Sequence, residues 1–586
     1  MPFTPDSRLG DVLDSERGRT TVLRHLPRVA DMPFPVQARH VRLRQLIDIF
    51  DTVRDDPALQ AQLFDELAAV PDTPAPRPQP AAAPEPSDRY EPADVVRASA
   101  TLSAPPSAGR WAVFEVEIRG PGHGNPFTDV DLSAEFRQGG RGVRVPGFYD
   151  GDGVYRIRFM PGTEGRWDFR TTSNARSLDG LTGGFDCTGA APTDHGPVRV
   201  HNTFHFRHAD GTRCVPLGTT AYAWTHQGTE LEELTLRTLA GSGFTKLRMC
   251  VFPKHYLYNS NEPELYPFDG SIDAGFDFTR PNPDFFRHLE RRIGDLHALG
   301  IEADLILFHA YDRWGFSDMG PAADDRYVRY VVARLASFQN VWWSLANEYD
   351  LLWSKTGDDW ERFAGIVTTG DPYAHLLSNH NCREFFDNGR PWITHSSVQR
   401  VDRYRTAENV DEWRRRWGKP VVVDECAYEG DLDQGWGNIT GEELVRRFWE
   451  GAVRGGYVGH GETYYATDEV IFWAKGGALK GDSPPRIAFL RAILEDGPAD
   501  GLEPLPSEWD LPWAGVKDSY YLAYFGFSRP RFRIFAMPPG TRYTVDVIDT
   551  WAMTVTTLEG WHDGTFRVEL PARPYVAVRL RAEESS

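Results

Sequence analysis

The chain has 586 residues, 41% of them apolar, and a formal net charge of −20. That length exceeds one compact core and predicts roughly three or four domains, while the apolar content excludes a disordered or fibrous protein. The acidic balance excludes the basic surface on which phosphate-backbone binding depends, so no nucleic-acid partner is expected.

Aromatic residues make up 13% of the chain, with 18 Trp and 22 Tyr. Sugar rings present C–H faces that stack on indole and phenol rings, although β-rich cores also use many aromatics. The five cysteines, Cys187, Cys214, Cys250, Cys382 and Cys426, are scattered, odd in number and without C-x-x-C spacing. This argues against a disulfide framework and against a zinc site. No apolar run is long enough to span a bilayer, so no membrane partner is expected. The opening residues, MPFTPD, lack the basic and apolar regions of a signal peptide, and the expected location is cytoplasmic.

Residues 1–70 read as a helical accessory module. Val12, Leu13, Val22, Leu23 and Leu26 form one helical stripe, Val41, Leu43, Leu46, Ile47 and Phe50 a second, and Leu59, Leu63, Phe64 and Leu67 a third. Nothing in the module points to chemistry; packing against the rest is expected, with homo-oligomer assembly as its alternative use. Residues 71–88 are a Pro/Ala-rich extended linker. From 89 to 199 the period changes to two, as in 111–118 (WAVFEVEI), 155–159 (YRIRF) and 165–169 (GRWDF), with turn residues between, which predicts a β-sandwich.

From 200 to 505 strands alternate with helices, the signature of a parallel sheet with crossover helices. Predicted strands fall at 215–222, 244–250, 301–308, 341–345, 375–378, 392–394, 420–424 and 457–461. Helical stretches intervene at 285–299, 325–337, 409–417 and 442–454, with a last helix at 485–494. Eight strands over that length fit a (β/α)8 TIM barrel. A doubly wound sheet is the alternative, but no Gly-rich fingerprint follows the first strand. Residues 506–586 return to period two and form a C-terminal antiparallel β domain.

In such a barrel the C-terminal ends of all strands open on one face, so the residues there form one constellation. Strand four breaks from the run VWWSLA directly into Asn347, Glu348 and Asp350, and strand seven ends in Glu425. A lone glutamate after an apolar strand is more often a surface residue; two facing one cleft are what retaining glycoside hydrolysis requires. Glu348 is the candidate acid/base and Glu425 the candidate nucleophile. Arg248 is expected to hold Glu425 ionised, and Asn347 to bond the hydroxyl beside the anomeric carbon. Trp224, Trp314 and Trp473 are expected to stack on sugar faces, and His309 and His395 to bind hydroxyls. His380, Tyr428, His460 and Glu462 complete the polar mouth, and Lys254, Tyr222, Tyr311 and Gln399 also fall at strand ends. No His-x-His or H-E-x-x-H spacing occurs, so neither a metal nor any other cofactor is expected.

The Asn347-Glu348 pair with Glu425 resembles the motif of the clan A retaining glycoside hydrolases. The segments FYDG…YRIRFMPGTEGRWDF, PLGTTAYAW, LFHAYDRWGF, WWSLANEYD, VVVDECAYEG and YYLAYFG…VIDTW are similar to one bacterial architecture. That architecture joins an N-terminal sandwich domain, an apiosidase- or cellulase-like barrel and a C-terminal β domain. The resemblance covers about residues 90–583 and implies a retaining mechanism with Glu348 as acid/base and Glu425 as nucleophile. The expected function is exo-acting hydrolysis of small oligosaccharides or glycosides, so the expected partner is a carbohydrate substrate. The alternatives are an endo-acting glucanase or mannanase of the same clan, and a carbohydrate-binding barrel without catalysis.

Overall fold

The computed structural model describes residues 2–5, 7–29, 42–44, 47, 51–70, 89–402, 404–465, 469–506 and 511–583. The linker expected at 71–88, and Val41, Leu46 and Phe50 of the second helical stripe, lie outside them.

Eight parallel strands form the central barrel: β1 (Gly218–Thr220), β2 (Lys246–Cys250), β3 (Glu302–His309), β4 (Val341–Asn347), β5 (Leu377–Ser378), β6 (Ser396–Gln399), β7 (Val421–Glu425) and β8 (Tyr457–His460). They pair in the order β5-β4-β3-β2-β1-β8-β7-β6. Between β5 and β6 the barrel is closed by isolated bonds: the Thr394 N–H donates to Leu377 O at 2.9 Å, and the Gln399 N–H to Asn381 Oδ1 at 3.1 Å. Every residue of β3, β4 and β7 is buried. One face of each lines the interior and the other lies under helices, which is why these strands read as unbroken apolar runs.

The outer helices include α1 (Pro283–Ala298), α2 (Pro321–Leu335), α3 (Val410–Trp417), α4 (Gly441–Ala452) and α5 (Ser483–Glu495). Asn282 caps α1, accepting from the Asp284 N–H at 3.1 Å ahead of Pro283 at the first helical position. Gly418 ends α3 with φ 65°, and its N–H returns to Arg414 O at 2.8 Å, so the chain turns directly into β7. The sixth strand corrects the sequence reading: it runs Ser396–Gln399 rather than 392–394, so His395 precedes the strand and Gln399 ends it.

The sandwich region is one eight-stranded sheet, antiparallel except where Ser107–Gly109 pairs with Thr182–Thr188. Its strand Arg141–Tyr149 pairs with Leu132–Gln138 through residues 141–146 and with Val154–Phe159 through residues 147–149. The sheet therefore curls on itself, and Phe114–Phe185 (3.8 Å) and Phe136–Phe159 (4.2 Å) stack between its halves. A buried charge cluster locks it to the barrel: Arg334 of α2 bonds Asp150 at 2.8 Å and Glu290 of α1 at 2.6 Å. The C-terminal domain holds a six-stranded sheet and a two-stranded one. Tyr524 stacks on Trp449 of α4 at 5.5 Å, and Leu522, Ile548 and Ala577 continue the core beneath α4 and α5. At the other end Leu9, Val12, Val22, Leu63 and Leu67 form the small core of the helical module, with Trp353 from the loop after β4 packed against it.

Candidate active site

Glu348 follows β4 and Glu425 ends β7, and both are nearly buried, at 6% and 5% exposure. Glu348 has a left-handed backbone, φ 54° and ψ 57°. For a residue with a Cβ this conformation costs on the order of 1–2 kcal/mol. It is kept because the strand's ladder on one side and the turn at Tyr349–Leu351 on the other fix the chain.

The two carboxylates have different partners. Glu425 Oε1 accepts from the Tyr222 hydroxyl and lies 3.3 Å from Arg248 Nη1 and 3.4 Å from His380 Nε2. Glu348 Oε2 accepts from the Tyr311 hydroxyl and from Asn347 Nδ2 at 3.2 Å. The Gln399 amide, turned so that both its atoms find partners, donates to Glu348 Oε1 at 3.1 Å and to Asn381 O at 2.9 Å. Asn347 links the halves, since its Oδ1 accepts from Arg248 Nη1 at 2.7 Å and lies 3.0 Å from the Tyr222 hydroxyl.

These surroundings separate the two acidities. Burial and the neighbouring Glu425 charge push Glu348 up to about 7. Burial also works against the charge on Glu425, but His380, Arg248 and Tyr222 overcome it and hold that group down at about 2. Burial and Arg248 lower the proton affinity of His380 itself, so the permanent charge of Arg248 and the Tyr222 O–H are the dependable partners. A carboxylic acid that holds its proton beside a carboxylate that does not is the pairing that acid-assisted nucleophilic chemistry needs.

A deeper tier fixes this arrangement. His380 Nδ1 is 2.9 Å from Ser397 Oγ, which donates to Asp424 Oδ2 at 2.6 Å. Lys246 Nζ bridges Asp424 and Asp304, at 2.7 Å from each. Over the carboxylates stands an aromatic wall of Tyr222, Tyr256, Tyr258, Tyr428, Trp436 and Trp473. Gly461 lets Tyr428 lie against the end of β8, since a Cβ there would meet the Tyr428 ring at 2.3 Å.

Of the residues singled out in the sequence, Glu348, Glu425, Asn347, Arg248 and His380 meet in one network, and Tyr428 and Trp473 stand in its wall. Others lie elsewhere. Trp224 is fully buried in the core with its N–H on Met249 Sδ at 3.4 Å, which removes it from the sugar-stacking set. Trp314 is buried, stacked on Phe316 at 5.9 Å and donating to Glu262 at 2.9 Å, so it belongs to the core and not to the aromatic wall. His309 supports the turn that carries Tyr311, accepting that residue's N–H at 3.2 Å and reaching Phe252 O at 3.2 Å. His395, ahead of β6, packs against Trp342 and Phe206 at 5.2 and 5.9 Å and does not reach the mouth. His460 bonds Thr219 at 2.8 Å and packs on Phe244. Glu462 accepts the N–H groups of Lys480 (2.6 Å) and Gly481 (2.7 Å) ahead of α5, a structural anchor rather than a mouth residue. Sequence reasoning placed Tyr222, Tyr311, Gln399 and Lys254 at strand ends without a role, and it passed over Tyr256, Tyr258 and Trp436, whose loops carry no periodic signal. Among the described residues no three His, Cys, Asp or Glu side chains converge as a metal-binding set.

A nearly closed parallel barrel with paired glutamates at the ends of its fourth and seventh strands defines a glycoside hydrolase of the clan A type. Residues 200–509 match the family model described as "Apiosidase-like, catalytic domain", and the chain belongs to that family. Residues 107–174 and 509–581 match two domains of unknown function, DUF5060 and DUF5605. Among solved structures the chain is similar to a "putative glycoside hydrolase" from Bacteroides vulgatus ATCC 8482, with 40% identity and a TM-score of 0.78 over 81% of this chain and 100% of that one. A family 5 glycoside hydrolase from the same organism shares the fold at 15% identity and a TM-score of 0.54, over 67% of this chain and 95% of that one. A further structure described as "Glycoside hydrolase" does so at 14% and 0.53, over 68% and 99%. No curated protein matches.

Proposed function

We propose that the protein is an exo-acting retaining glycosidase of small oligosaccharides or glycosides, with Glu348 as acid/base and Glu425 as nucleophile. The observation that carries this reading is the contrast between two buried glutamates of one hydrogen-bond network, Glu425 against Arg248 and the Tyr222 hydroxyl and Glu348 against the Tyr311 hydroxyl and the Asn347 amide. Glu348 donates its proton to the leaving oxygen while Glu425 attacks the anomeric carbon, giving a glycosyl ester on Glu425. Tyr222, Arg248 and His380 all approach Oε1 of Glu425, which leaves Oε2 as the attacking oxygen. Glu348, now a carboxylate, takes a proton from water as that water attacks the same carbon and frees Glu425, so the configuration is retained. Asn347, next in chain to the acid and bonded to it, is placed to hold the hydroxyl beside the anomeric carbon. Exo action is supported by the small exposure of both glutamates and by the aromatic residues clustered beside them, which suit the end of a saccharide better than the middle of a chain.

The test is hydrolysis of a panel of nitrophenyl glycosides, including arabinofuranosides, with NMR of the first-formed anomer. Retained configuration is expected, and a Glu425→Gly variant should form a glycosyl azide of opposite configuration when azide is added. An inverted first product would sink the mechanism, and inactivity on every glycoside would sink the function.

A further inference from the structure

Lys254 lies in the loop after β2 and is 1% exposed. Its Nζ sits within four aromatic rings, 3.5 Å from the centroid of Tyr222, 4.3 Å from Tyr311, 4.7 Å from Tyr256 and 5.3 Å from Trp473. Two of those rings carry the hydroxyls that bond the glutamates, Tyr222 on Glu425 and Tyr311 on Glu348. The ammonium therefore stands between the two halves of the site.

The other lysines buried in the barrel are neutralised. Lys246 has two aspartates at 2.7 Å, and Lys355 has Asp324 at 2.6 Å. Lys254 has no carboxylate at ion-pair distance and no acceptor for its N–H groups among the described residues. Cation–π attraction offsets part of the cost of burying the charge. It gives no hydrogen-bond acceptor to an ammonium that carries three donors. Buried donors are rarely left so, and one that is calls for a functional account.

We propose that Lys254 is a substrate-binding residue of the sugar pocket, donating to a hydroxyl oxygen of an uncharged sugar held between Glu348 and Glu425. This rests on the glycosidase reading above. The uncharged class follows from the charge balance of the network. Asp304, Asp424 and Glu425 face Lys246, Arg248 and Lys254, three carboxylates against three cations, with Glu348 holding its proton. A sugar carboxylate would leave that balance negative. The groups that face Glu348 are Glu425, which raises its proton affinity, and Lys254, Tyr311 and Cys382, which lower it, together with the Asn347 and Gln399 amides.

The experiment uses the full chain, the best neutral glycoside of the panel, its monodeoxy analogues and the matching uronide. Lys254→Met should fold and lose about 10- to 100-fold in kcat/KM, the range of a charge-assisted hydrogen bond. Its basic pH limb should move to higher pH, because the cation beside Glu348 is gone. One deoxy position that costs the wild type a similar factor should cost the variant nothing further. A folded Lys254→Met within twofold of wild type, or one that keeps every deoxy penalty, overturns the proposal, and a wild type that prefers the uronide tenfold overturns the uncharged class. Should Lys254→Met fail to fold, Lys254→Arg keeps the charge in the cage and displaces the donors. It should show the same loss and the same deoxy coupling with the pH limb in place, and full activity would overturn the proposal. A wild type that hydrolyses nothing in the panel defeats the glycosidase reading and this proposal with it; an active wild type with an unimpaired variant defeats this proposal alone.

Discussion

Gln399 is the Cα partner of Glu425 across the β6–β7 ladder, yet its amide nitrogen donates to Glu348 at 3.1 Å. One side chain thus ties the end of β6 to the end of β4. A donor to a carboxylate favours its charged form, so the Gln399 bond restrains the rise in the Glu348 pKa. Gln399→Leu should move the basic limb of the pH–rate profile to higher pH and lower kcat about tenfold, the cost of one bond to a charged group. A profile unchanged in both respects would show that the bond does not form in solution.

The whole pH profile follows from the two carboxylates. Glu425 must be ionised, a condition met above about 2. Glu348 must be protonated, a condition lost as pH rises through about 7. The profile of kcat/KM should be a bell lying mostly on the acid side of neutrality, falling roughly tenfold per pH unit well above its upper limb. Glu348→Gln should remove that limb for substrates with an activated leaving group, which need no proton. A limb that persists in Glu348→Gln assigns it to another group.

Below the site, Lys246 compensates both Asp304 and Asp424, and all three side chains are 1–2% exposed. Lys246→Met leaves two buried carboxylates facing each other. The expected loss is about 3–5 kcal/mol, the range for breaking a buried ion pair from one side. The barrel transition in calorimetry reads it directly. The loss should shrink at low pH, where the stranded aspartates take up protons; a pH-independent loss would point to packing instead.

Asp150 gathers Arg156 at 2.7 Å, Arg287 at 3.1 Å and Arg334 at 2.8 Å at the seam between the curled sheet and the barrel. Arg334 is fully buried, so Asp150→Ala leaves the cation with Glu290 as its remaining carboxylate partner. The variant should lose about 3–5 kcal/mol at this seam and unfold in two resolved calorimetric steps, the sheet first. A single unshifted transition would show that apolar contacts hold the seam unaided.

Much of the barrel was legible before any coordinates. Runs such as VWWSLA and VVVDE are apolar on both faces because each strand is covered on both sides, and they break where the mouth begins. β6 shows where this fails. Its residues, SSVQ, include one apolar side chain, Val398; Ser397 bonds His380 and Asp424 and Gln399 meets Asn381, so the strand lacks an apolar run, and the sequence places it four residues early with His395 at its end. Trp224 shows a second limit, since an indole after a strand looks the same in sequence whether it turns to the mouth or into the core.

By itself the sequence determined the alternation of elements, the count of eight strands and the position of the two glutamates at the ends of the fourth and seventh, because these are local patterns of burial along the chain. Only the tertiary structure decided which strand-end groups meet. Tyr222 reaches Glu425 across 203 positions and Gln399 reaches Glu348 across a strand between them, contacts set by barrel closure and side-chain direction. The cage around Lys254 belongs to the same class: four rings from four stretches of chain converge on one ammonium, and no spacing in the sequence announces it.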